Sequence, residues 1–201
     1  MTTRTTRTRW AVAAAIGLLA AGALAEVVIA DPFRGADPLS FEADLGTGEV
    51  TRVADIAAAD GLPARGVFVQ MTGGGQLCLW DAPSAWSRQR GGGCNPADDP
   101  LGGSSISASL AYEGGPGVDG VTDARLVGLV ADDVHGVEIL MTDDSRRRVR
   151  LSRLETGSLR LRAFGYRIRA SDLKRGITPV AVLALDSRGV EVARQATGLG
   201  G

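Results

Sequence analysis

The chain has 201 residues, 22 basic and 23 acidic side chains and a formal net charge of −1, so bulk charge names no partner. One histidine and two cysteines exclude a His/Cys zinc cluster, and with 15 residues between them the cysteines form no CxxC redox pair. Setting aside the apolar N-terminus leaves about 170 residues, enough for a domain with its own core.

Residues 1–9 carry Arg4, Arg7 and Arg9 and no acid, and Trp10 to Ala25 is uncharged. A basic start followed by an apolar run is the pattern of an export segment, with the arginines held on the cytoplasmic side. Ala23-Leu24-Ala25 and Val28-Ile29-Ala30 each offer small residues for cleavage. The 16 uncharged residues fall short of the roughly 20 that span a bilayer core, but Val27–Ala30 resumes the apolar run after Glu26. Residues 1–30 are therefore read as a signal peptide cleaved near Ala25 or Ala30, or as a retained single-pass anchor crossing the membrane through residues 10–30. Residues 31–40, with Pro32, Gly35 and Pro38, form a tether, and 41–196 form the exported domain, membrane-held or secreted.

Phe41–Ala43 and Val50–Val53 are candidates for a strand pair. A helix over Thr51–Asp60 is the preferred alternative, capped by Thr51, with Val53, Ile56 and Ala57 on its apolar face and Gly61 as its stop. The pattern then switches to period two. Gly66–Met71 and Gln76–Trp80 read as a hairpin turned by Gly73-Gly74-Gly75, which lacks the following Lys-Ser/Thr helix of a phosphate loop. An even cysteine count in an exported chain favours a Cys78–Cys94 disulfide, closing a segment with no periodic apolar pattern. Ser105–Tyr112 alternates as a strand, and Glu113–Gly120 is a Gly/Pro loop. Arg125–Ala131 is apolar on both faces and reads as a central strand or a strand start at a domain seam.

Val137–Thr142 and Arg146–Leu151 make the clearest hairpin, across Asp143-Asp144-Ser145. Leu159–Ala163 and Tyr166–Ala170 read as a further pair turning near Gly165, and Ser171–Arg175 as one helical turn or loop ended by Gly176. Pro179–Leu185 and Val190–Gln195 pair across Asp186-Ser187-Arg188-Gly189, a type I turn with a bulge, and residues 197–201 form a frayed tail. Short strands at this spacing predict a mainly β chain, a sandwich or a barrel.

The stretch Val127-Gly128-Leu129-Val130-Ala131-Asp132-Asp133-Val134-His135-Gly136-Val137, the hairpin Ala184–Val192 and the segment Leu77-Cys78-Leu79 resemble uncharacterised exported proteins of actinobacteria. In those a Gly-Leu-Val-Pro-Asp-Gly-Val run precedes a hairpin; here Ala131 stands for the usual proline and Asp133 for the usual glycine. The resemblance covers about half the chain. It implies an immunoglobulin-like antiparallel β-sandwich in the cell envelope and implies no activity.

No catalytic constellation is legible. His135 has Asp132 and Asp133 beside it, but neighbours this close in a turn serve the turn, and Gly103-Ser104-Ser105 is not a nucleophile elbow. Asn95–Asp99 partly offers a calcium loop, although Pro96 and Pro100 make a rigid turn the plainer account. The strongest anomaly is charge segregation. Residues 31–145 hold 18 acids and six bases, whereas 146–175 hold 11 bases and two acids. Period two places Arg146, Arg148 and Arg150 on one face, Arg160 and Arg162 on another, and Arg167 and Arg169 on a third. If these strands are neighbours, the seven arginines form one surface facing an anionic envelope polymer, a lipid surface or an envelope protein. The alternative is a solvated face, or one neutralised by the acidic part. Export and the scarcity of aromatics argue against nucleic acid. The sequence thus points to a non-enzymatic binding ectodomain without cofactor or metal, or to a structural accessory of a membrane complex, with an envelope enzyme of unrecognised type as the third reading.

Overall fold

Alternating side chains produce twelve antiparallel strands and one turn of helix in the computed structural model, which describes residues 48–114, 120–156 and 158–197. The expected export segment and tether, Phe41–Ala43, the centre of the Gly/Pro loop and the last four residues lie outside the described residues. In chain order the elements are β1 (Val50–Ile56), β2 (Arg65–Met71), β3 (Gln76–Ala82), β4 (Gly91–Pro96), β5 (Ile106–Gly114) and β6 (Val121–Ala131). They continue as β7 (Gly136–Met141), β8 (Arg146–Val149), β9 (Ser152–Thr156), β10 (Leu159–Arg167), α1 (Ala170–Leu173), β11 (Pro179–Leu185) and β12 (Glu191–Ala196).

The strands form three four-stranded sheets, ordered β1-β2-β3-β4, β5-β6-β10-β9 and β12-β11-β7-β8. The middle sheet is buried on both faces. Val127, Leu129, Leu154, Leu161 and Ala163 pack against Ile56, Val67, Val69, Leu77 and Leu79 of the first sheet. Ala108, Leu126, Val130 and Phe164 pack the opposite way, against Val137, Ile139, Met141 and Val182 of the third. Strand β6, between β5 and β10, therefore carries apolar side chains on both faces, as its sequence predicts. The Gln195 side chain ties the third sheet to the second by accepting from the Ala108 amide at 2.7 Å and donating to its carbonyl at 2.9 Å.

Three expectations are corrected. Thr51–Ile56 is strand rather than helix, because Val50, Thr51, Val53 and Ile56 are β-branched and β1 finds a partner in β2, from Val50↔Gln70 to Ile56↔Arg65. A bulge between Arg52 and Ala54 breaks its alternation and disguises the period. Gly165 is not a turn: β10 runs through it, and the hairpin partner of β10 is β9. Gly165 lies where the first and second sheets meet, and a Cβ there would sit 2.7 Å from Ile56 Cγ1 and Val67 Cγ2. The segment before Cys94 is also strand. Its three glycines show no period, yet Gly92 pairs with Trp80, and a Cβ on it would lie 2.6 Å from the Trp80 Cα.

The expected disulfide is present, with Cys78 and Cys94 directly opposite each other in the β3–β4 register. Replacing both cysteines by Ser should lower stability by about 3 kcal/mol from chain entropy, read by urea denaturation without reductant. Gly165→Ala should cost about 1–3 kcal/mol through overpacking. The cost should shrink in a Val67→Ala background, since one of the two closest contacts of the added methyl is then removed.

Candidate functional site

The structure divides five of the seven candidate arginines between two sheets, with Arg150 in the β8–β9 link and Arg169 just before α1. Arg146 and Arg148 lie on β8, the edge of the third sheet, opposite the inward Val149. Arg160 and Arg162 lie on β10, facing away from the Leu161 side, with Arg153 and Glu155 of edge strand β9 beside them. Only Arg150 and Leu151 separate β8 from β9, so the two edges follow each other along one flank. Arg148, Arg150, Arg153, Arg160 and Arg169 are exposed. Arg146 makes a long ion pair with Glu138 at 3.4 Å, and Arg162 a loose one with Asp132 at 3.5 Å. Arg167 is corrected: it is 8 % exposed and belongs to the interior. Arg153, absent from the sequence expectation, stands directly opposite Arg162.

A second feature grows from the apolar stripes themselves. Val69 and Val67 lead to Arg65 on β2, and Leu77 and Leu79 lead to Asp81 on β3. Leu129 and Val127 lead to Arg125 and Asp123 on β6, and Ala163 and Gly165 lead to Arg167 on β10. Period two keeps each charge on the same face as the apolar residues before it. The layer between the first two sheets is therefore apolar at one end and ionic at the other.

There the charges alternate as Arg65, Asp81, Arg125, Asp123 and Arg167, all of them buried. Arg65 pairs with Asp81, which also accepts from Arg125 Nε at 2.8 Å. Arg125 Nη1 pairs with Asp123, whose other oxygen accepts from Arg167 Nε at 3.0 Å. The ends are fixed to backbone. Arg167 Nη1 donates to the carbonyls of Ala57 and Pro63, each at 2.9 Å, and Arg65 Nη2 donates to Gln89 at 2.6 Å. Burial pushes the Asp81 carboxyl above its ordinary value, and Arg125 and Arg65 pull it back only in part. On Arg125 burial works against the charge, but attraction to Asp81 and Asp123 outweighs it and holds the guanidinium above its ordinary value.

The network reaches solvent at Glu113, near the end of β5. Its carboxylate, 49 % exposed, takes Arg125 Nη2 at 3.1 Å and Arg65 Nη1 at 3.4 Å on a single oxygen. Glu113 lines a cleft of about 540 Å³ between the Arg88–Gly92 segment and Ser109–Glu113, with the buried Arg125 contributing to its lining. This site was missed in the sequence. The available signal was Asp123-x-Arg125 continuing the stripe of a strand otherwise buried on both faces.

Other candidates are accounted for by their turns. His135 is exposed, with Nδ1 2.8 Å from the Asp133 carbonyl. In the calcium-like segment Asn95 donates to the Pro100 carbonyl at 3.0 Å and Asp99 accepts from the Gly103 amide at 2.8 Å. Among the described residues no group of three His, Cys, Asp or Glu is placed to hold a metal, and no helix is long and apolar enough to cross a membrane. Comparison of the chain with protein-family models, with curated proteins and with solved structures finds no match.

Arg125→Met should destabilise by about 3–5 kcal/mol, because it leaves Asp81 and Asp123 without their shared partner in a dry layer. Glu113→Gln should change stability by less than about 1 kcal/mol, since half of that side chain is already solvated. Urea unfolding of the two variants beside the parent checks both.

Proposed function

We propose that this chain is a non-enzymatic, exported binding module whose basic flank contacts a partner bearing closely spaced anionic groups. The observation that carries the reading is Arg148 on edge strand β8, Arg150 in the link that follows, Arg153 on edge strand β9 and Arg160 on the neighbouring β10, all exposed and none in an ion pair among the described residues. Arg153 faces Arg162 across the β9–β10 pair, and like charges directly opposite each other in a sheet are unfavourable. Such a surface gains from an external anion, with attraction screened by salt. The basic start and apolar run of residues 1–30 support an envelope location, as a retained anchor or after cleavage.

The immunoglobulin-like reading extends over the last two sheets. Taking β5 to β12 in chain order, the arrangement β5-β6-β10-β9 facing β12-β11-β7-β8 follows the strand order of that sandwich, with strands A, B, E and D in one layer and G, F, C and C′ in the other. The first sheet is then an added layer on the A-B-E-D face. Its disulfide joins neighbouring strands and does not bridge two facing sheets, a departure from the antibody pattern. The likeness to exported actinobacterial proteins is part of this same proposal.

The purified protein should be retained on immobilised heparin and on vesicles rich in anionic lipid, and the retention should fall steeply with salt. Preference for one support separates an acidic polymer from a lipid surface as partner. Replacing Arg148, Arg150, Arg153 and Arg160 by Ser should abolish retention and leave the unfolding midpoint within about 0.5 kcal/mol of the parent. Absence of retention on both supports at low salt overturns the proposal.

A further inference from the structure

We propose that the cleft beside Glu113 is a binding site for the carboxylate of a small ligand, and that the Glu113 side chain is its internal, displaceable occupant. The site is distinct from the basic flank, because it is built from β2, β4, β5 and β6 and from the segment leading into β4.

The receiving groups are fixed in advance. Arg125 is held through Nε by Asp81 and through Nη1 by Asp123, and Arg65 is held by Asp81 and by the Gln89 carbonyl. Each guanidinium has one further nitrogen, and both of these point to the same oxygen of Glu113. Two immobilised guanidiniums, each offering one nitrogen to the same point, favour a compact anion, and a carboxylate can give each of them an oxygen. Little ordering remains to be done when a ligand arrives.

Glu113 is the odd member of the network. Three guanidiniums face only two buried carboxylates, and the third carboxylate is the half-exposed one. Its backbone is held, with the carbonyl accepting from the Thr122 hydroxyl at 3.2 Å, so exchange requires only that the side chain swing outward. Its contact with Arg65 is long, 3.4 Å, and a ligand able to use two oxygens improves on it. The cleft is of small-molecule size, about 540 Å³. Gly91 and Gly92 put no side chains into it, and Ala111, on the same face of β5 as Glu113, adds a small apolar surface to its lining.

Benzoate is a suitable probe, with benzyl alcohol as its uncharged match, titrated calorimetrically into the full domain. Glu113→Ala should bind benzoate about tenfold more tightly than the parent, because the internal competitor is gone. Glu113→Gln should also tighten binding, since it keeps the size and loses the charge. Amide shifts should concentrate at Gly91, Gly92 and Tyr112, and the four-arginine flank variant should bind benzoate like the parent. Equal affinities in parent and Glu113→Ala, binding of benzyl alcohol as strong as that of benzoate, or loss of binding in the flank variant would each overturn the proposal.

Discussion

Burying both faces of the middle sheet obliges β6 to carry two opposite apolar stripes, Leu126 and Val130 on one face and Val127 and Leu129 on the other, with Gly128 leaving space for the Phe164 ring. Nearly every other feature follows from that constraint. A layer is needed on each side, so the first sheet closes over Val127 and Leu129 and the third over Leu126 and Val130. Close approach then decides the small residues. Gly165 exists because Ile56 and Val67 occupy the space its side chain would take. A soluble antiparallel sheet with one wet face would tolerate alternation here; this one does not.

The same geometry explains the buried charges. Four strands run together from apolar to ionic, so each guanidinium meets a carboxylate from another strand, and none is left alone in the dry layer. Ion pairs of this kind add little net stability relative to apolar packing, because desolvation consumes most of the attraction. What they do add is register. Sliding β3 by one residue would turn Asp81 away from both of its arginines and leave Arg65 without a buried carboxylate partner. Arg167 extends this control to the β1–β2 connection through the Ala57 and Pro63 carbonyls.

The two proposed contacts use opposite physics. On the flank the arginines are solvated, so their attraction for an anion is sensitive to salt. In the cleft the guanidiniums are immobilised and desolvated, so recognition is short-ranged and depends on the shape of the anion. Acidic residues dominate residues 31–145 and bases dominate 146–175, yet the buried network draws Arg65 and Arg125 from the acidic part and Arg167 from the basic part. Segregation along the chain therefore overstates segregation in space.

Local pattern was sufficient where an element is regular and its partner adjacent. The β2–β3, β7–β8 and β11–β12 hairpins, the double-sided β6 and the disulfide are all legible, because period two and turn residues act over a few positions. Local pattern failed at β1, where a bulge broke the period, at β4, where glycine has no side chain to show one, and at Gly165, whose reason for being glycine is another sheet. Among the candidate site residues Arg146, Arg148 and Arg160 lie exposed on strand faces, whereas Arg150 and Arg169 lie outside the strands, and Arg167 looks like its neighbours until Asp123, 44 residues earlier in the chain, is brought beside it. Strand alternation by itself determined which residues share a face; only the stacking of the sheets decided which of those faces meet water and which meet a counter-charge, because burial is a property of what lies opposite.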